Sequence, residues 1–141
     1  MRVTRCVPVL VLVVAVTGCG GSGSSRDAAG VRQTMHQFVN DLVSNNAAGA
    51  CSLFTSEALT HTFGGSSGCQ QLLARATKAP GEKRKLRREA KKIDGTPISV
   101  HGNTATVLNI GSAGSTTLTY VNGRWLIGTT SAQGSGTSTG G

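Results

Sequence analysis

The sequence predicts an α+β domain in which three N-terminal helices pack on a curved antiparallel β-sheet. Two observations carry this. Apolar residues recur every three to four positions over residues 27–78, and then alternate with polar ones over residues 98–130. The second period is punctuated by Asn122-Gly123, a strong hairpin signal between two β-rich runs. A length of 141 residues fits one domain.

Residues 27–45 read as an amphipathic helix. Val31, Met35, Phe38 and Leu42 fall at steps of four, three and four, and Val39 and Val43 widen the stripe. Asp27 stands where an N-cap belongs, and Asn45-Asn46 closes the helix because Asn tolerates the left-handed conformation. A second helix carries Ala50, Leu53, Phe54 and Ala58 on one face, with Cys51 at its start. After the break at residues 64–68, residues 69–78 predict a third helix with Leu72, Leu73 and Ala76 inward. Pro80-Gly81 ends it. In the basic run that follows, Leu86, Ala90 and Ile93 form a narrow apolar stripe at helical spacing. Ile98 and Val100 then alternate with polar neighbours, Gly102-Asn103 marks a turn, and residues 104–110, 115–121 and 124–130 are β-rich. Short turns between them predict a meander. Residues 131–141 are rich in Ser, Thr and Gly and predict a disordered tail.

The first 26 residues read as an address. Arg2 and Arg5 precede a near-continuous apolar run over residues 7–16, too short to span a bilayer and the right length for a signal peptide over residues 1–18. Val16-Thr17-Gly18-Cys19 resembles the bacterial lipobox. That resemblance implies diacylglycerol on Cys19, cleavage before it, and a protein held at the extracytoplasmic face of the cell membrane, where two acyl chains retain what one retains marginally. Residues 19–26 would then comprise the lipidated cysteine and a flexible Gly/Ser tether.

The same reading accounts for the cysteines. There are four. Cys6 leaves with the signal peptide and Cys19 takes lipid, so Cys51 and Cys69 remain and are expected to oxidise outside the cytoplasm. A metal pair or a reactive thiol is the alternative, and no CxxC or His-rich partner accompanies either cysteine.

The formal net charge is +8, and removing Arg2 and Arg5 leaves +6. Lys83, Arg84, Lys85, Arg87, Arg88, Lys91 and Lys92, with Glu89 the sole acid among them, carry +6 by themselves. The high pI therefore belongs to one patch. It reads either as a solvated face whose aliphatic stems cover the sheet, or as a dock for phospholipid headgroups, wall polymer or an acidic protein. An extracytoplasmic address and the lack of interleaved aromatics disfavour nucleic acid.

The element order, together with "Phe-Val-Asn-Asp-Leu", "Ala-Gly-Ala-Cys-Ser-Leu-Phe-Thr", a Gly-Cys before the third helix, "Gly-Asn-Thr-Ala-Thr-Val" and "Asn-Gly-Arg-Trp-Leu-Ile", resembles small actinobacterial lipoproteins of the nuclear transport factor 2-like superfamily over residues 27–130. The resemblance implies a cystatin-like cone around a pocket, which some members use for isomerase or dehydratase chemistry. Unlike similar proteins, which carry a plain strand before Gly102, this chain carries the basic segment. A general base needs a pocket position, an orienting partner and a tuned pKa. His61, at the end of the second helix, is the best candidate for a pocket residue, while His36 and Asp41 stand five apart on different helix faces. No catalytic triad, phosphate loop, metal-ligand cluster or cofactor motif stands out. The expected activity is therefore non-catalytic binding, with a small cofactor-free isomerase or dehydratase as the alternative.

Overall fold

The computed structural model describes residues 25–108 and 114–131, the last three as backbone only. The segments expected to be a signal peptide and a disordered tail, Cys19 and most of the expected tether lie outside the described residues. The fold is α+β. Five helices, α1 (Ala28–Val43), α2 (Ala47–Cys51), α3 (Ser56–Phe63), α4 (Ser66–Ala76) and α5 (Glu82–Ile93), precede strands β1 (Ile98–His101), β2 (Thr104–Leu108), β3 (Ser115–Val121) and β4 (Arg124–Ser131). The strands form an antiparallel meander in the order β1-β2-β3-β4.

The three helices expected before the basic run are four, because the second divides. Leu53 and Thr55 leave the helical path to pair with β4. Ile127 N donates to the Leu53 carbonyl at 2.7 Å, and Thr55 N donates to the Ile127 carbonyl at 2.9 Å. The segment thereby covers the outer edge of β4, which would otherwise present unpaired backbone groups. Thr55 restarts the chain as the N-cap of α3, its hydroxyl accepting from Ala58 N at 3.1 Å. Asn45 takes φ 59°, as expected of a helix stop, and Asn46 caps α2 by accepting from Gly49 N.

Ile98, Val100, Ala105, Val107, Leu118, Tyr120, Trp125 and Ile127 share the inner face of the sheet through the register Val100–Ala105–Leu118–Ile127. There they meet Val31, Met35 and Val39 of α1 and Ile93 of α5. A second core, of Leu42, Ala50, Cys51, Cys69 and Leu73, fills the end of the molecule formed by α1, α2 and α4. Phe54 joins the two, meeting the Phe38 ring edge-on at 5.5 Å and the Phe63 ring at 5.2 Å. Within the second core Cys51 and Cys69 form a disulfide across a separation of 18 residues. Leu72 and Ala76, expected inward, are exposed, Leu72 by 52%. The bridge fixes the Cys69 side of α4 inward, and Leu73 follows one turn later while Leu72 rotates out.

The outer sheet face carries Thr104, Thr106, Thr117 and Thr119. Its partial exposure explains why these strands alternate instead of reading as continuous apolar runs. Asn122 and Gly123, at φ 50° and 83°, make the hairpin turn the sequence predicts.

Candidate functional site

The basic run folds as one regular helix, α5, started by Gly81 at φ 85° and stopped at Asp94. Its apolar stripe faces inward as expected. Ile93 is buried, and Leu86 and Ala90 are half-buried against the two cores. Successive residues turn by 100°, so the remaining positions must face out. Arg84, Lys85, Arg87, Arg88, Lys91 and Lys92 are the exposed residues of α5, and every one is a cation. Lys83, the seventh member of the run, is half-buried. From Arg84 to Lys92 the strip extends about 12 Å along the axis.

The arrangement is unfavourable for the helix that carries it. Arg84–Arg87, Lys85–Arg88, Arg88–Lys91, Arg84–Arg88, Arg87–Lys91 and Arg88–Lys92 stand three or four residues apart. Each such like-charged pair destabilises an exposed helix by roughly 0.2–0.5 kcal/mol. Relief comes from Glu89, whose carboxylate accepts from Lys92 Nζ at 2.8 Å, and from the C-terminal position of Lys91 and Lys92 on the helix dipole.

Helix α5 runs antiparallel to α1. At one end, Asn45 meets Gly81, Lys83 and Arg84 around a cavity of about 330 Å³ that Thr77, Lys78 and Ala79 complete. At the other, His36 Nε2 lies 2.8 Å from Asp94 Oδ1, tying the middle of α1 to the end of α5. Lys78 extends the cationic surface around the first end, and it was not legible as part of the patch because the Pro80-Gly81 break separates it in sequence.

The other expected residues are dispersed. His61 is exposed in the last turn of α3, and neither cavity described is lined by it. Asp41 Oδ1 accepts from Asn46 Nδ2 at 2.7 Å, and its Oδ2 is buried without a hydrogen-bond partner. His101 is exposed and shares a 2.9 Å hydrogen bond with the Ser99 hydroxyl. A second cavity, of about 190 Å³, lies between α1 and the start of β4 and is lined by Gln33, Thr34, Gln37, Ser52, Leu53, Arg124 and Trp125. Its lining contains neither a carboxylate nor an imidazole. Among the described residues no three His, Cys, Asp or Glu side chains gather as metal ligands. None of the described helices is long and apolar enough to cross a membrane.

The segment before α1 is bound to the domain. Trp125 Nε1 donates to the Ser25 carbonyl at 3.0 Å, and the Arg26 guanidinium sits 4.8 Å above the Tyr120 ring. Ser25 and Arg26, read from sequence as part of the tether, therefore lie against the sheet. No family model matches the chain, and comparison with curated proteins and with solved structures finds no match to it.

Proposed function

We propose that this chain is a lipid-anchored protein of the cell envelope whose folded domain is a non-catalytic binding module, docking an anionic partner through the outer face of α5. The observation that carries the docking surface is that every exposed residue of α5 is Lys or Arg. A face kept only for solubility is served by mixed charge, which also stabilises a helix through opposite pairs. A face of one sign costs the free helix stability, and that cost is recovered when a polyanion occupies it. The anchor rests on the lipobox-like Val16-Thr17-Gly18-Cys19 behind a short apolar run, and the disulfide is consistent with an oxidising compartment. The cone of the nuclear transport factor 2-like superfamily is the architecture this reading assigns, with helices over one face of a curved sheet.

Two measurements test the proposal. The intact mass of the chain recovered from bacterial membranes is expected to correspond to a polypeptide beginning at Cys19 plus acyl chains. A cytosolic chain that keeps Met1 sinks the anchor. Affinity for long-chain polyphosphate is expected to fall steeply with added salt and to drop when Arg87, Arg88 and Lys91 are replaced together by Glu. Equal affinity in the triple variant rules out α5 as the dock.

A further inference from the structure

We infer that the partner of α5 is the anionic headgroup layer of the same bilayer that holds Cys19, so that the domain lies down with α5 flat on the membrane. This deepens the reading above and rests on its lipid anchor.

Shape comes first. The cations occupy the ridge of a single helix, a convex strip about 12 Å long. A planar array of phosphates meets a convex strip along its whole length. A polymer strand is held best in a groove with cations on both walls, and the cavity at the start of α5 gives this only at one end.

Chemistry comes second. Leu86, Ala90 and Ile93 are committed to the interior, so the outward arc has no apolar side chain to insert. Contact must stop at the headgroups and be electrostatic, hence weak for the free domain and sensitive to salt.

Reach comes third. Ser25 is fixed to Trp125, so the five residues 20–24 separate the proposed lipid on Cys19 from the domain. Five residues can span at most about 17 Å. The near end of α5 lies beside His36, eight residues or about 12 Å along α1 from its first turn. The tether therefore lets α5 reach the plane in which Cys19 is embedded. It also makes the encounter intramolecular, so a weak attraction suffices to hold the domain down.

Trp125 is the one tryptophan of the chain and serves as the probe. The lipidated full chain is reconstituted in phosphatidylcholine vesicles, with or without about 30% phosphatidylglycerol, each containing a trace of dansyl-headgroup lipid. Flotation reports the anchor, and energy transfer from Trp125 to dansyl reports the pose. The expected result is higher transfer in the anionic vesicles, lost to the neutral-vesicle level at about 0.5 M salt. The R87E/R88E/K91E variant is expected to show the same loss, because three reversals weaken surface attraction by at least about 100-fold. Unshifted Trp125 emission in the variant verifies its fold. A chain that floats but shows equal transfer in both vesicle types overturns this inference and leaves the anchor standing. A chain that fails to float with neutral vesicles removes the anchor and the inference with it. Loss of transfer on adding poly(glycerol phosphate), at a phosphate concentration where sodium chloride of equal ionic strength has no effect, overturns it in favour of wall polymer.

Discussion

Asp27 holds the start of α1 with a single carboxylate oxygen. Its Oδ1 accepts from the Ser25 hydroxyl at 2.7 Å and from Gly30 N at 2.9 Å. These bonds, the Ser25 hydroxyl foremost and the Gly30 amide next, favour the ionised form and lower the Asp27 pKa. A folded value below the unfolded one contributes stability that is fully present above the unfolded value. It is lost as pH falls through the folded value, in the range below about 4. Asp27→Asn keeps a capping oxygen but does not titrate there. Denaturation at pH 3 and pH 7 is therefore expected to show a smaller acid loss in the variant than in the parent. Gly30 serves the same turn differently. A Cβ there collides with the Ser25 carbonyl, the acceptor of the Trp125 indole. Gly to Ala inside a helix ordinarily stabilises by about 1 kcal/mol. Here the sign reverses. Gly30→Ala is expected to lower Tm and to shift Trp125 emission to the red as Ser25 is displaced.

At the scale of elements, α5 was the most legible part of the chain. Its stripe of Leu86, Ala90 and Ile93 and its basic flanks are local facts, and the packed helix keeps both. The strands and the Asn122-Gly123 turn were legible for the same reason, since alternation and left-handed backbone are written in neighbouring residues. What the sequence hid depends on distant partners. The helix expected through Leu53 and Phe54 breaks because Ile127, more than seventy positions away, supplies better hydrogen bonds to that backbone. The Thr55 cap and the Glu57 behind it were the local trace of that break. The pairing of His36 with Asp94 likewise required knowing that α5 returns along α1. The like-charge spacing of α5 gives a direct expectation. Arg88→Glu converts the pairs with Arg84, Lys85, Lys91 and Lys92 from repulsive to attractive. It is expected to raise stability by about 0.5–1.5 kcal/mol at low ionic strength, with the gain shrinking as salt is added. Thermal melts at two salt concentrations measure both terms. A variant no more stable than the parent shows that the helix bears no electrostatic cost, which removes the physical argument for a bound polyanion.

Among the described residues two cores share α1, with Leu86 of α5 and Phe54 packed against both. The larger joins the sheet to the first three turns of α1 and the end of α5. The smaller gathers the end of α1 with α2 and α4 around the disulfide. Few apolar side chains support the smaller core, and Leu72 and Ala76 of α4 contribute little to it because they face solvent. The bond between Cys51 and Cys69 compensates for that shortage. Closing an 18-residue loop stabilises the folded state by about 3 kcal/mol in the chain-entropy model. Because α2 and α4 meet the rest through side-chain packing and chain continuity and pair with no strand themselves, the loss on reduction should be local before it is global. Double replacement of Cys51 and Cys69 by Ala is therefore expected to speed amide exchange throughout residues 47–76 while β2, β3 and β4 keep most of their protection. Phe54 sets the limit of that separation. Its ring touches Phe38 on one side and Phe63 on the other, and its neighbours Leu53 and Thr55 bond the backbone of β4. Exchange at Thr55, whose N–H donates to the Ile127 carbonyl, should therefore follow the sheet, although flanking residues follow the loosened helices. If the sheet amides lose protection in step with residues 47–76, the two cores unfold as one unit, and the bridge holds the entire fold together instead of one end of it.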